Sequence, residues 1–180
     1  FIKSLVATAV AMAALAAAGT SFAQERTIKF ATQNPVGHPI ELGMKKFAEI
    51  VQAKSGGKIK VNLFPGGQLG SDQANVTALQ GGTLEMVSMN SGILASVAKE
   101  MTIVDFPFLF ANAKEADTIL DGPIGEKVLA KLPEKGLVGL VYWENGFRNL
   151  TNTKRPVTRL EDLAGIKLRV MPNPVYLEAF

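Results

Sequence analysis

The chain has no cysteine and a single histidine, His38, among its 180 residues. Without cysteine there is no disulfide, so the fold must rest on its own apolar core, which a chain of this length can supply. One His and no Cys rule out the usual His/Cys zinc centres. A Ser-His-Asp triad would have to use His38, and no G-x-S-x-G elbow is present to go with it. Neither G-x-x-x-x-G-K-[ST] nor G-x-G-x-x-G occurs, which removes the two common phosphate-cradling loops. A strong excess of one charge is also missing. The formal net charge is +3 and the basic residues are scattered, so nothing points to a nucleic-acid groove. No cofactor or metal is expected. A hydrolase working with carboxylates alone stays open, because acids occur on any globular surface.

Long apolar runs are scarce as well, and the main one stands at the start. Leu5 to Ala18 is apolar and Ala-rich, with Lys3 before it and Ser21-Phe22-Ala23 after it. A short apolar core, a positive flank and a small–x–small exit read as a secretory signal peptide over residues 1–23, cleaved after Ala23. The run is about 14 residues, short for crossing a bilayer, although an uncleaved anchor is the competing reading. The chain begins with Phe1 and not Met, so a few leader residues are expected to precede it. Removing Lys3 with the leader lowers the net charge from +3 to +2. With no lipobox cysteine, the expected product is a soluble periplasmic protein.

The rest alternates between two periods. Thr27–Ala31 reads as a strand. His38–Ser55 reads as a helix, with Ile40, Met44, Phe47, Ala48 and Val51 on one face. Lys58–Phe64 alternates strictly and reads as a second strand. Pro65-Gly66-Gly67 makes a turn, and Ser71 or Asp72 caps a helix that ends at Gly81-Gly82. Leu84–Met89 is a third strand. This β-α-β-α-β order predicts a parallel sheet with helices on its faces. Helices are expected near Ala113–Asp121 and Ile124–Lys131. Strands are expected at Leu137–Trp143, a nearly continuous apolar run, at Phe147–Asn152 and at Ile166–Val170. Thr158 and Asp162 frame a short capped turn closed by Gly165. Tyr176–Phe180 reads as an amphipathic helix without a stop signal, so the chain looks unfinished. Gly67-Gln68-Leu69-Gly70 precedes a helix and could offer N–H groups to an anion, but a plain tight turn is the simpler reading.

Two arginines carry what chemistry remains. In Ile166–Val170 the apolar residues would face the core, which leaves Lys167 and Arg169 on the other face. Arg148 follows the loop Glu144-Asn145-Gly146. Two guanidiniums converging on a cleft would hold a carboxylate through bidentate, charge-assisted bonds. The alternative is that each is a solvated strand-face cation with an acid nearby.

Several blocks resemble one family. Phe64-Pro65-Gly66-Gly67-Gln68-Leu69-Gly70, Leu79–Met86 and Asp105-Phe106-Pro107-Phe108-Leu109-Phe110 are similar to stretches of solute receptors of tripartite ATP-independent periplasmic (TRAP) transporters, the dicarboxylate-receptor type. The resemblance continues at Asn145–Asn152 and Leu163–Val170, in family order. It implies an α/β periplasmic-binding-protein-like receptor with two domains and a cleft between them that closes on an organic acid. The acid then passes to a membrane permease driven by a sodium gradient. Such receptors are longer, so the first domain would be 24–143 and residues 144–180 would begin a truncated second domain. The resemblance also assigns residues. Arg169 matches the arginine that pairs with the ligand carboxylate, and Arg148 matches a second cleft arginine. Asn173 falls near a family Asn, although Arg169-Val170-Met171-Pro172-Asn173 is one residue longer than the family pattern. Asn90 stands where sialic-acid receptors carry a ligand-binding Glu, which argues against that specificity. Gln33 and His38 occupy a loop that often lines the cleft; His38 reads equally as an exposed residue beside Pro39 at a helix start. Trp143 and Phe147 would wall the cleft or sit in the core.

Three other functions remain beside this one. They are the receptor of an ATP-driven importer, a periplasmic enzyme using carboxylates, and a ligand sensor feeding a kinase.

Overall fold

The structure is a computed structural model that describes residues 26–171 and 173–179. The leader and its exit site after Ala23 lie outside the described residues. Three strands, β1 (Arg26–Thr32), β2 (Ile59–Phe64) and β3 (Met86–Ser88), form a parallel sheet in the order β2-β1-β3. The central strand is buried where it pairs on both sides. Phe30 stands opposite Leu63 on one edge and Met86 on the other, and is only 4% exposed.

Helix α1 (Pro39–Lys54) connects β1 to β2. It starts where the sequence places it. The Nδ1 of His38 accepts the Ile40 N–H, and Pro39 supplies a preset φ at the first helical position. Its apolar stripe lays Ile40 and Met44 on Phe30, and Phe47 meets the Phe30 ring edge-on at 5.7 Å. Helix α2 (Asp72–Gln80) connects β2 to β3, with Ser71 Oγ accepting the Ala74 N–H. Its Val76 joins a second cluster with Ile93, Ala98, Met101, Val128, Leu132, Leu137 and Met171. That cluster is built mostly from short pieces: 3₁₀ turns at Ser91–Ser96 and Lys99–Asp105, then α3 (Ala113–Leu120) and α4 (Pro123–Leu129). A further 3₁₀ turn, Leu160–Leu163, is held by Asp162, whose carboxylate accepts from the Thr158 N–H and hydroxyl. The chain closes with α5 (Pro174–Ala179). Met171, just before α5, returns to the cluster that begins at Val76.

Three expected strands are absent. Residues 137–143, 147–152 and 166–170 form no ladder. A strand requires a neighbour to take its N–H and C=O groups, and among the described residues the sheet ends at β3. The apolar run 137–143 is therefore largely uncovered: Leu137 is buried, but Val138, Leu140 and Val141 are exposed. The alternation in 166–170 survives without a ladder, with Lys167 and Arg169 exposed and Ile166, Leu168 and Val170 partly covered. The third strand is shorter than expected because β1 reaches only Met86–Ser88 in register.

One buried charge stands in the first core. Glu41, 2% exposed, accepts from Lys45 Nζ at 2.8 Å and from the Gly37 N–H at 3.1 Å. The Lys45 bond, then the Gly37 bond, hold its carboxyl below the ordinary value of 4.5. A carboxyl depressed in the folded state contributes stability above its ordinary pKa and loses it as the pH falls through the folded value. Glu41→Gln is thus expected to lower the melting temperature at neutral pH, with the gap to the parent closing below pH 4.5. Melting curves of both proteins across pH check this; a gap that stays constant down to strong acid contradicts it.

Candidate functional site

Parallel strands place all their carboxyl ends along one edge of a sheet, and in open α/β folds ligands bind outside that edge. Gln33 and His38 follow β1, the turn Pro65–Gly70 follows β2, and Asn90 follows β3. The topology thus gathers three of the sequence candidates on one rim.

The rim is braced by backbone bonds. The N–H groups of Gly66 and Gly67 donate to the Asn34 and Thr32 carbonyls, and the Gly70 N–H to Gly67. The glycine stretch is therefore a turn whose three glycine amides are engaged, and Gly66 and Gly67 take the positive φ it requires. Gln33 Nε2 donates to the Gly70 carbonyl at 2.6 Å, clamping the β1 exit to this turn. His38 is the α1 cap. Asn90 makes no side-chain cap bond to the turn it precedes.

The other candidates come from the last part of the chain. Asn173 is fully buried. Its Nδ2 donates to Asp105 Oδ2 at 2.9 Å and to the Gly92 carbonyl at 3.4 Å, two residues beyond Asn90. Its Oδ1 accepts the Val175 N–H at the start of α5. Asp105 Oδ1 accepts the Tyr176 hydroxyl at 3.2 Å. The Tyr176 oxygen in turn accepts Arg148 Nε at 3.1 Å, and Arg148 Nη2 reaches Met171 Sδ at 3.1 Å. The guanidinium carbon lies 5.6 Å from the centre of the Tyr176 ring. Arg148 and Asn173 are thus brought together through Asp105 and Tyr176. Burial pushes the Asp105 carboxyl up; the Tyr176 bond, the Arg148 charge and the Asn173 bond oppose it.

The Arg169 charge bears on a different place, the start of α2. Asp72, the first residue of α2, has its carboxyl raised by burial, and the Arg169 charge works against that rise. The Asp72 Oδ1 is buried without a partner. Among the described residues neither Arg148 nor Arg169 has a carboxylate within 4.0 Å. Arg159, by contrast, is paired with Glu161 and Asp162. Trp143 lies against Phe30, its ring centre 6.3 Å away, and over Gly43 at the edge of the first core, but both it and Phe147 are exposed.

Asp72, Asp105 and Tyr176 were not singled out by the sequence as site residues. Tyr176 three residues after Asn173 at a helix start was a usable signal. Asp105 had none beyond its place at the head of Asp105–Phe110. Two open clefts, of about 330 and 290 Å³, lie elsewhere, around Lys99–Lys135 and Glu126–Leu140, and include neither arginine.

Residues 30–180 match the family described as bacterial extracellular solute-binding protein, family 7. The chain belongs to this family. The family-7 chain is 36% identical over 175 residues to the 2,3-diketo-L-gulonate-binding periplasmic protein YiaO of Escherichia coli, covering 97% of itself and 53% of that protein. Its structure superposes with a TM-score of 0.83 on the sugar acid binding protein DctPAm of Advenella mimigardefordensis in complex with galactonate, at 46% identity, over 86% of this chain and 50% of that one. A TRAP periplasmic solute-binding protein of Ochrobactrum anthropi, with the C-terminus bound in the ligand-binding pocket, is 54% identical with a TM-score of 0.77, over 86% of this chain and 48% of that one. The fold is that of the two-domain α/β TRAP receptors, and the family-7 chain spans about half the length of these relatives.

Proposed function

We propose that this chain captures a small organic acid outside the cytoplasm, holds its carboxylate on Arg169 and Arg148, and delivers it to the membrane permease of a TRAP transporter. The observation that carries this reading is two exposed guanidiniums that, among the described residues, have no carboxylate within 4.0 Å. An arginine already paired to Asp or Glu has little left for a ligand. Arg148 commits two of its five N–H groups, to a hydroxyl and a sulfur, and keeps its full charge.

The acid is a sugar acid or a compound of that size. The relatives named above bind 2,3-diketo-L-gulonate and galactonate, each a carboxylate on a polyhydroxy chain. In this reading Asn90, Gln33, His38 and Asn173 belong to the ligand's surroundings, Gln33 and Asn173 chiefly by bracing the rim. The first domain is 24–143, the crossover begins at Glu144, and closure against a second domain excludes water. That exclusion strengthens each charge-assisted bond. The protein acts in the periplasm after cleavage following Ala23 and performs no chemistry on the ligand.

A thermal-melt screen of the full-length protein tests this. The panel pairs each acid with a neutral counterpart: galactonate with galactose, glucuronate with glucose, and C4-dicarboxylates with their diamides. A ligand at a hundred times its dissociation constant adds about 2.7 kcal/mol to the native state. Acids are expected to raise the melting temperature and neutral partners to leave it unchanged. A rise with galactose or glucose alone overturns the carboxylate reading and favours the receptor of an ATP-driven importer.

A further inference from the structure

We infer that Asp105 and Tyr176 form a positioning relay that fixes the direction of the Arg148 guanidinium. The inference goes beyond the proposed carboxylate capture and rests on it only for its effect on affinity.

The geometry is directional. An ionised carboxylate only accepts hydrogen bonds. Asp105 therefore takes the Tyr176 O–H on one oxygen and the Asn173 N–H on the other. With its proton committed to Asp105, the Tyr176 oxygen turns a lone pair outward, and that lone pair accepts Arg148 Nε. The relay thus runs from a buried carboxylate to an exposed guanidinium through one hydroxyl. A direct Asp105–Arg148 pair would engage the arginine fork on the protein's own acid. The inserted hydroxyl transmits orientation while occupying only the Nε–H, and with Nη2 on Met171 Sδ this leaves three N–H groups for a ligand.

The anchor is far from Arg148 in sequence and well buried. Asp105 is 9% exposed and closes the second 3₁₀ turn, and Asn173 is 0% exposed at the head of α5. Gly92 makes room for the pair. A Cβ there would come within 2.8 Å of the Asp105 Cγ and 2.9 Å of Asn173 Nδ2. Nothing else in the described cluster needs a charged acid. Tyr176 and Asn173 are neutral, and Arg148 is the one cation whose charge bears on it.

Two variants separate the relay from simple packing. Tyr176→Phe keeps the ring under the guanidinium and deletes only the hydroxyl. Asp105→Asn keeps the shape and presents a donor where an acceptor is needed. The first readout requires no ligand. In the full-length protein labelled at arginine Nε, the Arg148 Nε–H signal is identified by its loss in Arg148→Lys. Its exchange with water is expected to be about tenfold faster in both variants, as for any N–H that loses its acceptor. Unchanged exchange in Tyr176→Phe overturns the inference. The second readout is galactonate titration, where both variants are expected to weaken binding about tenfold, and to have no effect in an Arg148→Lys background. Equal affinity of Tyr176→Phe and the parent, or an undiminished loss in the Arg148→Lys background, overturns it as well. If no acid binds the parent while Arg148 exchange accelerates as expected, the carboxylate reading fails and the relay stands.

Discussion

Arg169→Ala is expected to weaken binding of the ligand acid about a hundredfold, and Arg169→Lys about tenfold, in a calorimetric titration of the full-length protein. The alanine figure follows from removing one partner of a desolvated charge pair, which leaves the ligand carboxylate facing a closed, dry cleft. The lysine figure carries the chemistry. Lysine keeps the charge but not the planar fork, so an effect of bare charge predicts no loss and a bidentate hold predicts a clear one. The surroundings favour the fork. Arg169 is exposed, has no carboxylate within 4.0 Å among the described residues, and its charge works against the burial-driven rise of the Asp72 carboxyl. Equal affinity of the lysine variant and the parent would sink the bidentate assignment. Equal affinity of the alanine variant would remove Arg169 from the site altogether.

Gly125→Ala is expected to cost about 3 kcal/mol of stability, near the upper end for overpacking a closed site. Gly125 stands in the first turn of α4, where the preceding helix folds back on it. A Cβ at this position would press on the Leu120 carbonyl oxygen, and would lie 2.6 Å from that carbonyl carbon and 2.8 Å from the Leu120 Cα. All three are backbone atoms, so no side-chain rotation relieves the overlap. The α3–α4 corner must open, and α4 carries Val128 into the second core. Urea unfolding of the full-length protein reads this as a lower midpoint at unchanged slope. Gly81→Ala is the control. Its φ of −80° suits any residue, and its nearest neighbour, the Thr77 carbonyl oxygen, is 3.3 Å away. It is expected to shift the midpoint far less. A Gly125→Ala midpoint equal to that of the control would refute the crowded-corner argument.

Much of the first core was legible in the sequence because its signals are local. Period 3.6 over residues 38–55, period 2 over 58–64, and a cap at Ser71 or Asp72 each concern residues within a few positions of one another. The same logic failed at 137–143, 147–152 and 166–170. Pattern shows which face of a segment prefers cover, but not whether a neighbour is there to pair with it. Val138 and Val141 have the composition of a buried strand and are exposed. The 3₁₀ turns at 91–96 and 99–105 were equally silent, being too short to show a period.

For the site, the sequence by itself supplied the candidates. With no cysteine, one histidine and no nucleotide loop, arginine was left as the residue able to hold a small acid, and the motif blocks placed Arg148 and Arg169 in a receptor family. The alternation of strand and helix also predicted a parallel sheet, whose observed order puts Gln33 and Asn90 at the same edge. Only the tertiary structure decided what orients Arg148. Asp105 meets Tyr176 across 71 residues and Asn173 across 68, bonds that no local pattern announces. Hydrophobic periodicity is set by the geometry of one segment with itself. A buried carboxylate's partners are set by where separate segments come to rest, and that is known only once the chain has packed.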